Sequence, residues 1–376
     1  MIEAMQQKRI INIFCRVVDN LGDIGVTWRL AQQLVREKNC AVRLIVDDLK
    51  SFRKIAPDID IDKLYQELNG VEVLLWDESA LGGFYKAETG VGDVVIEAFA
   101  CALPPFFVDL MTQQKTPVPV WIDLEYLSAE DWVEECHAIV SMHPTGLNKT
   151  LFFPGFTERT GGLFREANLL QKRDAFQESE AAQNEWRARF GLPSLAEKTL
   201  DISLFCYPDA PVAPLLAGLQ GRNVRIFALK EIAALLLQHN PGDVEIVGFD
   251  YMPQEDFERL LWTSDVNFVR GEDSFLRALW AGRPYIWQIY TQDEGAHYVK
   301  LDAFLRRYSQ NLDPKHAEVL ADLSGMWNLR GTKTESVTAF FDDLPAFAAF
   351  ARIRAEEQAR QDDLATQLLR FIEDNL

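Results

Sequence analysis

Residues 265–282 read DVNFVRGEDSFLRALWAG. The stretch runs from an apolar strand, Val266 to Val269, through Arg270-Gly271-Glu272-Asp273-Ser274 into a helical pattern that begins at Phe275. A strand handing over to a helix is the repeating unit of an α/β fold. Backbone N–H groups and the helix dipole gather at such a handover and can hold an anion. A phosphate-bearing ligand is therefore the first expectation. Arg270 suits it, because a guanidinium pairs with phosphate oxygens in a bidentate way. Glu272 and Asp273 would repel a phosphate at close range. They must face sugar hydroxyls, Arg270 or the backbone. Ser274 or Asp273 is also suited to cap the helix, and an ordinary capped helix with a surface arginine is the competing reading.

Further units of the same kind flank this stretch. Thr199 to Cys206, Val224 to Ala228, Val244 to Val247 and Tyr285 to Gln288 read as strands with helical patterns between them. The first half repeats the arrangement. Ile10 to Val18 (IINIFCRVV) is a near-continuous apolar run, as expected of a strand buried on both faces. Val26 to Lys38 follows as a helix, with Val26, Leu30, Leu34 and Val35 on one face. Ala41 to Val46, Val71 to Trp76, Val94 to Phe99, Pro119 to Asp123 and Ala138 to Ser141 read as further strands. Strands separated by helices imply parallel sheets with right-handed crossovers. The polar segment Leu169 to Lys198 breaks the pattern and is taken as the domain connection. The expected domains are residues 1–180 and 181–350. A long heptad-like helical pattern closes the chain, and its last part, 351–376, is expected to pack back on the first domain.

Bulk properties narrow the function. The 376 residues exceed one ordinary core, so two domains are expected. A net charge of −19 weighs against nucleic acid, whose phosphates need basic patches. Met1 to Arg9 is polar, so no signal peptide is expected, and no apolar run approaches the ~20 residues of a membrane span. Cys15, Cys40, Cys101, Cys136 and Cys206 are scattered and odd in number, which suits free thiols in a reducing cytoplasm. The five histidines form no cluster, so no metal is expected. Asp58-Ile59-Asp60-Ile61-Asp62 lacks the glycine and distal glutamate of a calcium loop and reads as a solvated strand or turn.

The loop after the first strand is the second unusual feature. Asp19-Asn20-Leu21-Gly22-Asp23-Ile24-Gly25 places two carboxylates beside two glycines at a strand end. Asp23 fits either a ligand site or the N-cap of a helix starting near Val26. No G-x-G-x-x-G follows the first strand, so the dinucleotide fingerprint is missing. Tyr207-Pro208-Asp209 and Phe249-Asp250-Tyr251-Met252-Pro253-Gln254 put aromatic and hydrogen-bonding groups at later strand ends, where a planar base could stack. Ordinary loop packing is the other reading of both. Trp121 to Trp132 is aromatic and acidic, as a buried strand followed by a capped helix would be.

DNLGDIGVTWRLAQQL and FVRGEDSFLRALWAGRPYIWQIYTQDEGAH resemble the EarP family, the protein-arginine rhamnosyltransferases that modify translation elongation factor P. The resemblance extends to WIDLEYLSAEDWVEECH, FFPGFTERTGGLFRE and FCYPDAP. It implies a GT-B glycosyltransferase, with two Rossmann-like domains facing a central cleft. The implied donor is dTDP-β-L-rhamnose, and the implied acceptor is one arginine of elongation factor P, which the modification activates for polyproline translation. Transfer would invert the anomeric centre without metal or cofactor. The resemblance assigns Asp23 as general base, Asp19 to orient the guanidinium and Glu272 to the catalytic set. Arg270, Gly271 and Ser274 would hold the leaving diphosphate, and Glu272 and Asp273 would meet sugar or ribose hydroxyls. Asn20, Leu21, Gly22, Tyr207 and Gln254 would contact the donor, with Phe249 and Met252 lining the base pocket. A non-catalytic nucleotide-sugar-binding regulator on the same scaffold, and an enzyme with a small-molecule or glycan acceptor, are the alternatives.

Overall fold

Ile10–Cys15 forms strand β1, and all of it except Ile10 is buried. A strand apolar on both faces needs a neighbour on each side. Here these are β2 (Ala41–Val46) and β5 (Val94–Ala98), both parallel to it. The computed structural model describes residues 8–376 apart from 19–20, 89, 115–116, 197, 241, 243 and 332 and the side chains of 86–88 and 293. It separates into two units. One comprises the described residues up to Ala167 together with Gln361–Leu376, and the other is Asn168–Arg360.

The first unit holds an eight-stranded sheet in the order β3-β4-β2-β1-β5-β6-β8-β7. The added strands are β3 (Tyr65–Leu68), β4 (Val71–Leu75), β6 (Val120–Leu124), β7 (Val140–Met142) and β8 (Asn148–Phe152). The expected all-parallel sheet is corrected at both edges, because β3 and β7 run antiparallel to β4 and β8. Only Asn69 and Gly70 join β3 to β4, and both adopt positive φ (54° and 80°). That is the two-residue hairpin geometry favoured by Asn-Gly, and it leaves no room for a crossover helix. Strands β3 and β8 were not expected, because YQEL and NKTLF each lack an apolar run.

The second unit holds a five-stranded sheet in the order β11-β10-β9-β12-β13. These strands are β9 (Leu200–Leu204), β10 (Val224–Leu229), β11 (Val244–Phe249), β12 (Val266–Arg270) and β13 (Tyr285–Gln288), all parallel. The polar segment read as a connection belongs to this unit as the helices Leu169–Gln177 and Glu180–Arg189. Its charges are not all solvated. Arg173 is 1% exposed and donates to the Trp280 carbonyl at 2.9 Å. Arg187 is fully buried between Thr263 and Asp201. The division therefore falls at Ala167/Asn168, ahead of the expected boundary.

The closing helical pattern is two helices, Leu344–Gln358 and Leu364–Asn375. Asp363 caps the second, accepting from Thr366 N, so one continuous helix is excluded. Residues 351–360 stay with the second unit, and 361–376 join the first. There the last helix is tied down by Leu364 N donating to Leu163 O (2.9 Å) and Lys38 Nζ donating to Thr366 Oγ1 (2.8 Å). Among the described residues no helix is long and apolar enough to cross a membrane.

Candidate functional site

Open parallel sheets bind ligands beyond the carboxyl ends of their strands, where successive connections leave in opposite directions. In the first unit that point lies between β1 and β5, since β2 follows β1 on one side and β5 pairs on the other. In the second unit it lies between β9 and β12. Asp23 and Arg270 lie at these two points, one in each unit.

After β1 the chain enters the helix Gly22–Lys38. Asp19 and Asn20 lie outside the described residues. Leu21 and Gly22 open the helix, and Leu21 makes no side-chain cap. The helix starts earlier than expected, so Asp23 sits within its first turn and is not the cap of a helix beginning near Val26. A carboxylate there is favoured by the helix dipole. Asp23 is 2% exposed. Its Oδ2 accepts from Val18 N at 2.7 Å, and its Oδ1 accepts from Tyr126 Oη at 3.1 Å. Both oxygens therefore have fixed directions. Behind it, burial pushes the Cys15 thiol well up, and the nearby Asp23 charge adds to that effect.

On β5, the neighbour of β1, and on β6 beyond it, Glu97 and Asp123 lie side by side. Lys149 on β8 pairs with both, at 3.4 Å and 2.6 Å. The ammonium is held protonated above its ordinary range: burial opposes this, but the Asp123 and Glu97 carboxylates outweigh it. Trp121 Nε1 donates to Glu97 at 3.2 Å. The aromatic and acidic segment Trp121 to Trp132 is thus partly a charged, buried sheet end, and Tyr126 is its direct link to Asp23.

In the second unit, Arg270 ends β12 and Gly271 turns away with φ 64°, a conformation glycine adopts without a Cβ clash. The helix Asp273–Ala281 starts immediately. The capping expectation is corrected. Glu272 occupies the N-cap position without a side-chain cap bond, and the Ser274 hydroxyl donates back to the Arg270 carbonyl. Asp273 faces Gln254, whose Nε2 donates to Oδ2 at 3.2 Å, and Arg277 at 3.9 Å. It braces the loop from the protein side.

The Arg270 guanidinium lies 4.6 Å from the ring centroids of both Phe205 and Tyr207. Those residues follow β9, the strand beside β12. Tyr207 N donates to Gln288 Oε1 at 2.8 Å, and Gln288 Nε2 donates to Asp209 Oδ1 at 3.3 Å. Burial pushes the Cys206 thiol up to about 12, against the opposing pull of Arg270. Phe249 and Met252 are buried at and after the end of β11, which β10 separates from β9. The structure thus joins Arg270 to Tyr207 and Asp273 to Gln254, and keeps Phe249 and Met252 buried at the far edge of the sheet.

Tyr126, Phe205 and Gln288 were not singled out in the sequence. Phe205 was absorbed into an apolar strand and Gln288 ended another. Only their place at strand ends beside the two switch points marks them.

The family model described as Elongation-Factor P (EF-P) rhamnosyltransferase EarP matches residues 11–373. The protein-arginine rhamnosyltransferase of Pseudomonas putida is 43% identical, over 97% of this chain and 99% of that one. The enzyme of the same name from Pseudomonas aeruginosa is 43% identical, over 96% and 98%. A solved structure on the basis of EarP-mediated arginine glycosylation of translation elongation factor EF-P matches with TM-score 0.67 and 31% identity, covering 98% of this chain and 100% of that one. Spinosyn rhamnosyltransferase SpnG matches with TM-score 0.56 and 13% identity over 97% of this chain and 100% of its own, a likeness in fold alone. Both units are Rossmann-like, as in the GT-B glycosyltransferases. A model that spans nearly the whole sequence, and relatives this similar over their full length, settle the assignment: the chain belongs to the EarP family of rhamnosyltransferases.

Proposed function

We propose that this enzyme transfers L-rhamnose from dTDP-β-L-rhamnose to an arginine side chain of translation elongation factor P, inverting the anomeric centre without a metal. The observation that carries the reading is the Asp23 carboxylate, held by Val18 N and Tyr126 Oη at the switch point of the first unit. A guanidinium has delocalised lone pairs and a pKa above ~12, so it is a poor nucleophile. A fixed carboxylate can orient it through charge-assisted bonds and accept its proton as the lone pair commits to carbon. In one displacement the C1–N bond forms, the C1–O bond to the diphosphate breaks, the proton passes to Asp23 and dTDP leaves. Inversion requires base and leaving group on opposite faces of the sugar, as in inverting glycosidases.

The departing diphosphate carries the developing negative charge. Arg270 and the N–H groups at the start of Asp273–Ala281 supply the stabilisation a metal would otherwise give. Tyr207 would contact the nucleotide from the side that also stacks on Arg270. Glu272 would meet the sugar, while Asp273 and Gln254 fix the loop. Asp19 would orient the acceptor guanidinium, and Asn20, Leu21 and Gly22 would contribute backbone contacts to the donor. Elongation factor P as acceptor is supported by the EarP structure that concerns it, and its modification would activate the factor for polyproline translation.

Incubation with dTDP-rhamnose and purified elongation factor P, read by intact mass, tests this. One deoxyhexose added to a single arginine is the expected result. Donor binding without transfer would point to a regulator, and hydrolysis or transfer only to small acceptors would exclude the protein acceptor.

A further inference from the structure

Between β5 and the helix Pro105–Gln113 three non-glycine residues adopt left-handed backbone: Phe99 (φ 57°), Ala100 (φ 50°) and Ala102 (φ 56°). Each sets its Cβ against the following carbonyl, so the conformation persists only where the surroundings over-determine it. Here they do. Phe99 N donates to Leu124 O at 2.7 Å, and Cys101 N donates to Ala98 O at 3.3 Å. Ala102 N donates to Glu97 Oε1 at 3.0 Å. Glu97 is itself buried and held by Trp121 and Lys149.

The result of that strain is the placement of one ring. Phe99 lies against Tyr126 with centroids 4.4 Å apart and planes inclined by 15°. Tyr126 is half-buried, and its hydroxyl reaches Asp23 Oδ1 at 3.1 Å. Val18 N holds the other oxygen from the segment after β1. The two donors approach from the segments that follow different strands, β1 and β6, so together they set both the rotation and the plane of the carboxylate.

We propose that Tyr126, seated on the strained Phe99, is a positioning residue that aims the Asp23 carboxylate at the acceptor nitrogen. The proposal rests on the reading of Asp23 as proton acceptor. It goes beyond that reading in assigning the function of the 99–102 loop: the loop spends backbone strain to fix a phenol, and the phenol fixes the base. A hydroxyl donating to an ionised carboxylate also favours the charged form, the form that can take a proton.

Three variants test it with dTDP-rhamnose and purified elongation factor P. Tyr126→Phe keeps the ring and its stack and removes only the hydroxyl. Its kcat should fall about tenfold or more, with both KM values within about twofold and the melting temperature unchanged, because the aim of the base is lost in the chemical step and not in substrate binding. Phe99→Leu keeps the hydroxyl but loses the platform, and should give a smaller fall in kcat with the same KM pattern. Asp23→Asn reports on the base alone. A kcat within about twofold of the parent in Tyr126→Phe, alongside an inactive Asp23→Asn, overturns the positioning role and leaves the base reading intact. A raised KM for elongation factor P at unchanged kcat makes Tyr126 an acceptor contact and equally overturns it. Full activity of Asp23→Asn overturns both.

Discussion

The guanidinium of Arg270 lies 4.6 Å from the ring centroid of Tyr207, across the gap between β12 and the loop after β9. Phe205 stands at the same distance from it. Aromatic faces attract a planar cation and restrict its rotation. Its N–H edges are then left for oxygen acceptors in a fixed fork. Replacing Arg270 with lysine keeps the charge and loses both fork and stack. Arg270→Lys should weaken dTDP-rhamnose binding by about tenfold or more, read by calorimetry. Parental affinity in this variant would remove the diphosphate from Arg270.

Asp23→Asn is close to isosteric but cannot accept a proton. Transfer to elongation factor P should fall by about a thousandfold, within the range general bases contribute, while dTDP-rhamnose affinity stays within about twofold. Intact-mass time courses and calorimetry on the same preparation check the two halves. Loss of donor affinity would move Asp23 into donor binding.

Asp201 is 2% exposed and lies between two arginines, 2.7 Å from Arg187 and 2.8 Å from Arg225. This ion triad fastens the helix Glu180–Arg189 to the start of β9 and β10. Asp201→Asn leaves two buried guanidiniums without their shared anion. It should lower unfolding stability by about 3–5 kcal/mol, measured by urea titration of the whole chain. A loss under about 1 kcal/mol would show that water reaches the pair, as at exposed ion pairs.

The thiols provide a pH test. Burial pushes Cys101 and Cys206 each up to about 12. A raised thiol titrates later, so the reactive thiolate is scarce at all pH values well below 12. At pH near 8, iodoacetamide should label the half-exposed Cys136 first and leave Cys101 and Cys206 until the chain unfolds. Peptide mass spectrometry reads the order. Early labelling of Cys206 would mean that the loop beside Arg270 opens in the native state.

Much of the two-unit α/β architecture was legible because its signals are local. IINIFC is apolar on both faces and can only be an inner strand. Arg270-Gly271 at a strand end, with Asp273 starting a helix, marks a strand-to-helix turn within a few residues. Short strands without an apolar run, as in Tyr65–Leu68 and Asn148–Phe152, carry a weaker local signal, and these two were not legible. The Asn69-Gly70 hairpin turn was present in the sequence as a recognised signal and should have predicted one of them.

By itself the sequence determined the alternation of strands and helices, the two loops with carboxylates and arginine at strand ends, and the family through its motifs. Only the tertiary structure decided which of those groups meet. Tyr126 reaches Asp23 across 103 residues because β1, β5 and β6 are neighbours in one sheet. Gln254 reaches Asp273 because their helices pack side by side. Arg173 and Arg187 turned a polar stretch that read as a connection into part of the second unit, since a guanidinium can be buried wherever carbonyls and a carboxylate wait for it. Periodicity records which face of an element is apolar; it does not record which polar group on another element will satisfy a buried charge, and that pairing is settled only when the sheet is assembled.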